Sequence, residues 1–237
     1  MDIAHYRQTL EQPWGKIFYQ VLFDQLKEVK GKRILDFGAG FCLTADFLSQ
    51  NNTVVAVDPS AEMLYHQKHP NLSKYHGSID QLDQFPDASF DVIICHNVLE
   101  YVAMEDYPTY LTAFHRLLTP SGQLSIVKHH RAGKVMQAVV FNHQIDTAMD
   151  LLAGADYHSP SFNQGRCYDM AELVQSGQFR IERYQGIRTF YALQPNEIKS
   201  EMGWLEDMTR MELAVCDHSP YRDISFFHHI WLEKVTT

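Results

Sequence analysis

A short apolar run, Arg33-Ile34-Leu35, passes through Asp36-Phe37-Gly38-Ala39-Gly40 into a helix-compatible segment, Leu43 to Ser49. A strand that turns into a helix through glycines is a place to hold a nucleotide-like ligand. The glycines let backbone N–H groups approach without a Cβ in the way, and the helix N-terminus adds partial positive charge. A second apolar run, Thr53-Val54-Val55-Ala56-Val57, ends in Asp58. An acid at the tip of a second strand is placed to accept two ribose hydroxyls.

Two functional classes share this pattern, and the order of residues bears on the choice. A dinucleotide dehydrogenase reads G-x-G-x-x-G, whereas Gly38-Ala39-Gly40 is followed by Phe41, Cys42 and Leu43, so the third glycine is missing. The acid ahead of the first glycine, Asp36, instead resembles motif I of class I S-adenosylmethionine (SAM) methyltransferases, acid-x-G-x-G-x-G, with Cys42 in place of the last glycine. Two later segments are similar to that class as well. Phe85-Pro86-Asp87-Ala88-Ser89-Phe90-Asp91-Val92-Ile93-Ile94 resembles the lead into its fourth strand, and Leu117-Leu118-Thr119-Pro120-Ser121-Gly122-Gln123-Leu124 the turn before its fifth. The alternative is a doubly wound α/β domain that binds some other nucleotide.

The apolar pattern predicts an amphipathic helix over Trp14–Lys27 and strands near Arg33–Phe37, Thr53–Val57, Lys74–Gly77, Phe90–Cys95 and Gly122–Lys128. Tyr168–Ser176 and Asn196–Cys216 read as helices, Phe179–Phe190 and Ser225–Glu233 as the last two strands. Alternation of this kind implies a Rossmann-like α/β fold, a mostly parallel seven-stranded sheet with helices on both faces. Residues 131–166 break the alternation. Val135, Met136, Val139, Val140, Ile145, Met149 and Leu152 suggest helix, and Gly154–Gln164 a loop, together a helical lid insertion over the carboxyl ends of the strands. The whole chain, 1–237, is expected to be one domain.

No apolar run approaches the ~20 residues that cross a membrane, and Met1-Asp2-Ile3-Ala4-His5-Tyr6-Arg7 lacks the basic-then-apolar order of a signal peptide, which predicts a cytoplasmic protein. Cys42, Cys95, Cys167 and Cys216 are isolated and read as small core residues of a reducing compartment. His129-His130 and His228-His229 are adjacent on strand segments, so each pair points to opposite faces; surface or core-edge histidine, and no metal, is expected. A net charge of −9 with no Lys/Arg-rich run confines any nucleic-acid contact to a local site.

Beyond the generic motifs the chain resembles the bacterial tRNA 5-carboxymethoxyuridine methyltransferases, which use SAM to esterify the carboxylate of a modified wobble uridine. The residues that carry this are His96-Asn97-Val98-Leu99-Glu100-Tyr101-Val102, Gly186-Ile187-Arg188-Thr189-Phe190, and Glu212, Cys216 and Pro220-Tyr221. The resemblance implies SAM as cofactor, with Asp36, Gly38 and Gly40 at its methionine end, Asp58 on its ribose, Ser78 and Ile79 on adenine, and His96 as a further contact. It also makes Arg188 the substrate residue, since a planar guanidinium grips a carboxylate bidentately. The implied partners are tRNA or a small carboxylate-bearing molecule, with neither membrane nor metal, and a catalytic residue is not singled out. The chain departs from the family in two places. Asp150–Gln164 has no Lys or Arg where relatives carry a lysine-rich run, and Phe18 and Tyr19 stand near a basic position of the N-terminal helix. Methylation of a small metabolite, and a SAM-binding protein without catalysis, are the alternatives.

Overall fold

The computed structural model describes residues 3–158 and 164–236, with the side chains of residues 4 and 5 outside that description. Two helices, α1 (Ile3–Leu10) and α2 (Pro13–Leu26), precede an alternating stretch. There, β1 (Arg33–Phe37), α3 (Leu43–Ser49), β2 (Thr53–Asp58), α4 (Ala61–Leu64), β3 (Leu72–His76), β4 (Phe90–His96), α5 (Tyr107–Leu117) and β5 (Leu118–His129) follow in order. The insertion contains α6 (Arg131–Met136), a π-helical stretch Gln137–Phe141, α7 (Ile145–Leu152) and a two-residue antiparallel hairpin of β6 (Tyr157–His158) and β7 (Gln164–Gly165). The rest of the chain holds α8 (Met170–Val174), β8 (Phe179–Ile187), α9 (Trp204–Val215) and β9 (Phe227–Lys234).

The large sheet has seven strands in the order β3-β2-β1-β4-β5-β9-β8, mostly parallel with one antiparallel strand. The β1–β2, β1–β4, β2–β3 and β4–β5 ladders are all parallel. Strand order turns back between β1 and β4, which creates the crevice at the carboxyl ends where doubly wound sheets bind ligands. Ile34, Leu35, Val54, Ala56, Ile93 and Ile94 are all buried, as parallel strands covered on both faces require.

The chain divides into two compact units. One contains Met1–Gln25, Lys128–Tyr168 and Tyr184–His229; the other contains Leu26–Val127, Asp169–Arg183 and Ile230–Thr237. Five elements differ from the sequence expectation, three of them for visible reasons. The turn expected before the fifth strand is absorbed into β5, because Leu118 already pairs with Phe90 and the register then shifts before Gln123 meets Val92. The sixth strand stops at Ile187 because Arg188 takes a left-handed backbone, φ 62°. The helix expected over Asn196–Cys216 breaks at Gly203, φ 83°, leaving a 3₁₀ turn Glu197–Ser200 ahead of α9. Helix α1 was not anticipated from the apolar pattern. Of the expected Gly154–Gln164 loop, residues 157, 158 and 164 are hairpin and 159–163 lie outside the described residues.

Leu151 of α7, Tyr157 and Cys167 form a buried cluster with Val135, so the insertion has a small core of its own. All four cysteines are free and buried. The histidine expectation needs correction: His228 and His229 are interior, 3% and 0% exposed, with His228 stacked on His130 at 3.8 Å and His229 bonded to Gln25 at 2.8 Å. Among the described residues no three His, Cys, Asp or Glu gather as a metal site, and no helix is long and apolar enough to cross a membrane.

Helix α6 approaches the Ser225–Phe226 backbone through Gly133. A Cβ there would lie 2.2 Å from the Ser225 carbonyl oxygen and 2.5 Å from the Phe226 Cα. Backbone cannot yield as a side chain does, so Gly133→Ala should destabilise the protein by about 1–3 kcal/mol despite its better helix propensity. Thermal unfolding checks this: a drop in Tm of several degrees is expected, and an unchanged or higher Tm contradicts the packing.

Candidate functional site

In the unit that contains β1 to β4, the glycine turn is tied to the end of β2. Gly38 and Ala39 donate their N–H groups to the Val57 carbonyl at 2.8 and 3.1 Å. Gly40 donates to Asp58 Oδ2 at 2.7 Å, and Ser60 to Asp58 Oδ1 at 2.7 Å. Gly38 (φ 78°) and Gly40 (φ 52°) both sit in the left-handed region, and a Cβ on Gly38 would fall 2.3 Å from Val98 Cγ2. Glycine is needed there both for backbone conformation and for space. Cys42, φ 61°, repeats the left-handed turn with a buried side chain, its thiol pushed up to about 12 by burial.

Asp36 and Asp58 are 3% and 7% exposed. Asp36 is raised to about 7, chiefly by burial and also by the neighbouring Asp58, with a hydrogen bond from the Ala45 backbone opposing both. Its Oδ2 has no hydrogen-bond partner among the described residues. Asp58 is also raised, chiefly by burial, against the two N–H groups it accepts. A buried carboxyl with an open oxygen beside a turn with two glycines suits a ligand with hydroxyl donors and a positive centre. The residues therefore fit an adenosyl sulfonium cofactor.

Gly77 donates to the Asp58 carbonyl at 3.0 Å, which brings Ser78 and Ile79 beside this carboxylate strand end. Ile79 opens a 3₁₀ turn, Ile79–Gln84, and the Ser78 N–H is held by Asp80 Oδ1 at 3.1 Å. His96 closes β4 with Nε2 2.9 Å from Ser125 Oγ. Asp36, Gly38, Gly40, Asp58, Ser78, Ile79 and His96 thus all lie at or just past the carboxyl ends of β1 to β4.

Arg188 belongs to the other unit. It is 6% exposed and ringed by aromatic faces: its guanidinium carbon is 4.4 Å from the Tyr191 ring centre, 4.9 Å from Phe226, 5.4 Å from Phe227 and 5.6 Å from Trp14. Burial lowers it to about 10, opposed by Tyr191 and Glu212. Its Nε has no hydrogen-bond partner among the described residues. Glu212, 1% exposed, accepts the N–H groups of Thr189 at 2.7 Å, Phe190 at 2.8 Å and Tyr191 at 3.0 Å, and the Gly186 N–H goes to the Cys216 carbonyl at 2.8 Å. The segment that carries Arg188 is therefore latched to α9 by Glu212 and to the residue that follows that helix, Cys216.

Three groups in this unit escaped the sequence reading. His129 Nδ1 lies 2.7 Å from the Tyr157 hydroxyl, and burial holds the imidazole well below its usual range. Lys134 Nζ stands 3.5 Å over the Tyr157 ring. Lys199 is 8% exposed, 4.1 Å over the Tyr191 ring, and lines a groove of about 680 Å³ with Gln20 of α2 and Thr209 and Arg210 of α9. Contacts between residues far apart in sequence define all three, so spacing carried no signal for them.

The raised Asp36 has a thermodynamic consequence. Its carboxyl moves from 3.8 to about 7 on folding, so between those values the folded state holds a proton that the unfolded state has lost. Without ligand, stability should fall as pH rises through that window and level off above about 7, by on the order of 4 kcal/mol at most. Asp36→Asn should flatten the slope and unfold at a higher temperature than wild type at alkaline pH. Identical pH profiles for the two proteins would contradict the buried, open carboxyl.

Comparison with known proteins agrees with the geometry. Residues 35–126, from β1 into β5, match the methyltransferase domain family. A ubiquinone biosynthesis O-methyltransferase of Paracidovorax citrulli is 31% identical over 107 residues, 42% of this chain and 44% of that protein. The chain spans less than half the length of the curated relatives it matches. A SAM-dependent methyltransferase of Mesorhizobium loti superposes with a TM-score of 0.54 at 19% identity, covering 87% of this chain and 93% of the other. The 1,6-didemethyltoxoflavin-N1-methyltransferase of Burkholderia thailandensis, solved with 1,6-didemethyltoxoflavin and S-adenosylhomocysteine, gives 0.58 at 17% identity over 94% and 80% of the two chains. At such identities the structures speak for the fold, and the family match for the domain. Residues 35–126 match the methyltransferase domain family, and the chain has the fold of class I SAM-dependent methyltransferases.

Proposed function

We propose that the protein transfers the methyl group of SAM to a carboxylate held by Arg188, forming a methyl ester. The observation that carries this reading is the buried guanidinium in its aromatic ring, with an Nε that no described residue satisfies. A charge kept from water at this cost is best accounted for by an anion that completes it. The resemblance over Gly186–Phe190 and Glu212–Tyr221 supports the carboxymethoxyuridine of tRNA as the acceptor.

When bound, SAM supplies an electrophilic methyl group on a sulfonium, which leaves as S-adenosylhomocysteine once the methyl has moved. Asp58 accepts the ribose hydroxyls, the Gly38–Gly40 turn admits the methionine end, and Asp36 opposes its positive charge. Ser78 and Ile79 border the adenine, and His96 is a further contact. Arg188 grips the acceptor carboxylate and fixes its orientation. A carboxylate is already ionised at neutral pH, so this chemistry asks no residue of the chain to remove a proton.

A small acidic metabolite is the second reading. The net charge of −9 and an insertion without Lys or Arg between Asp150 and Gln164 weigh against a polyanion such as tRNA and leave this reading in its place. The names of the Paracidovorax and Burkholderia proteins, which refer to small-molecule methylation, point the same way.

Asp58→Ala should weaken SAM binding by at least about tenfold, since it removes a charged acceptor of two hydroxyls. It also strips the N–H groups of Gly40 and Ser60 of their partner, so Tm should fall as well. Calorimetry with SAM on the folded mutant checks the assignment, and unchanged affinity would remove Asp58 from the ribose. For the acceptor, Arg188→Ala should leave SAM affinity within a few fold and lower turnover on carboxymethoxyuridine-bearing tRNA, with Arg188→Lys recovering part of the rate. Equal turnover of wild type and Arg188→Ala would sink the clamp. A wild type that binds SAM but leaves that tRNA unmethylated would shift the assignment to the small metabolite.

A further inference from the structure

Tyr191 has a cation against it twice. The Arg188 guanidinium carbon is 4.4 Å from its ring centre and Lys199 Nζ is 4.1 Å from the same centre. Both cations are more than nine-tenths buried. Lys199 also lies 4.8 Å over the Phe141 ring and gives a hydrogen bond to Asn196 Oδ1 at 3.1 Å. The buried carboxylate of this cluster, Glu212, has its two oxygens committed to three backbone N–H groups. Glu197 acts on Lys199 from an exposed position, where water screens it. Two buried cations thus stand against one buried carboxylate, and the Arg188 Nε is open.

Like charges brought this close in an apolar setting cost stability unless something offsets them. A structural role for Lys199 would call for its own carboxylate partner, or for a head group turned out to water. Neither is present among the described contacts. Its ammonium is instead held by one amide oxygen and two ring faces, on the wall of a groove it shares with Gln20, Thr209 and Arg210 and with Glu201 and Glu206, whose carboxylates are exposed and screened by water.

We infer that Lys199 is a second anion-binding and specificity-determining residue, which together with Arg188 forms a paired-cation receptor for the carboxylate of the methyl acceptor. This rests on the reading of Arg188 given above. A carboxylate can take the planar guanidinium on one side and the ammonium point charge on the other. Neutral analogues such as the corresponding amide or ester leave two buried cations uncompensated and are rejected. The methyl ester product is one of them, so the same pair would favour its release.

Lys199 is lowered to about 8, chiefly by burial and further by Arg188, with Glu197 opposing both. The lysine half of the receptor is therefore charged at neutral pH and loses its charge as pH rises past about 8. Arg188 keeps its charge to about 10. Tyr191, which faces both cations, is raised above its usual range mainly by burial, and Glu212 is raised by burial against its N–H donors. Tyr191 therefore stays neutral in the window where Lys199 loses its charge.

The test is titration calorimetry on the full chain in the presence of S-adenosylhomocysteine, with 5-carboxymethoxyuridine nucleoside and, separately, malonate as probes. Lys199→Met should weaken each by at least about tenfold, and Lys199→Arg should stay within about threefold of wild type. Wild-type affinity should decline between about pH 7 and 9, whereas Lys199→Arg should hold its affinity over that range. If the nucleoside binds in an Arg188-dependent way and Lys199→Met is no weaker, the receptor is overturned while the reading of Arg188 survives. If malonate binds through Lys199 and the nucleoside does not, the receptor stands and the carboxymethoxyuridine acceptor falls. Failure of both anions to bind wild type overturns the receptor. So does a flat wild-type pH profile, which decides the matter even if Lys199→Met does not fold.

Discussion

The hydrogen bond from the Gly40 N–H to Asp58 is the interaction on which the nucleotide-binding half of this protein depends. It joins the turn after β1 to the tip of β2 at 2.7 Å, and the Gly38 and Ala39 N–H groups add bonds to the Val57 carbonyl beside it. Two strand ends that lie side by side in a parallel ladder are thereby locked in a register fixed by side chain as well as by backbone. One carboxylate both closes the turn and remains at the mouth of the crevice. The positive φ of Gly38 and the Val98 methyl only 2.3 Å from where its Cβ would sit follow from this close approach. A residue with a side chain would meet the Val98 methyl and carry the strain of a left-handed backbone as well.

Much of this half was legible in the sequence because its information is local. Short apolar runs, closed by an acid or glycine in β1 and β2, mark β1, β2 and β4 to within about a residue. Asp36, Gly38, Gly40 and Asp58 stand where those runs end, so periodicity and punctuation together place them at the carboxyl edge. The boundaries that shifted did so through tertiary effects. β5 reaches back to Leu118 because β4 offers it a partner, and the Asn196–Cys216 helix breaks where Gly203 adopts a left-handed backbone.

The Arg188 cluster was legible only as a motif. The resemblance pointed to Arg188, but its aromatic surroundings come from residues 14, 191, 226 and 227, and Glu212 reaches it from α9. No spacing rule connects positions so far apart. Lys199 had no signature at all, since an isolated lysine in a polar stretch reads as solvated surface. Only its burial and the shared Tyr191 ring distinguish it. The interior histidines teach the same point: adjacent positions on a strand do face apart, yet His130 still finds His228 across the fold of the chain.

The three N–H groups gathered by Glu212 bear on the entropy of recognition. A segment that leaves a strand with a left-handed residue would ordinarily sample many conformations, and a ligand would have to freeze it on arrival. Here Thr189, Phe190 and Tyr191 are held by a single interior carboxylate. The ordering of the loop beneath Arg188 is therefore completed when the protein folds, and little of it is left to be charged against affinity. A receptor prepared in this way can bind an acidic group with few contacts and still discriminate sharply, because its geometry does not relax to suit a poorer ligand.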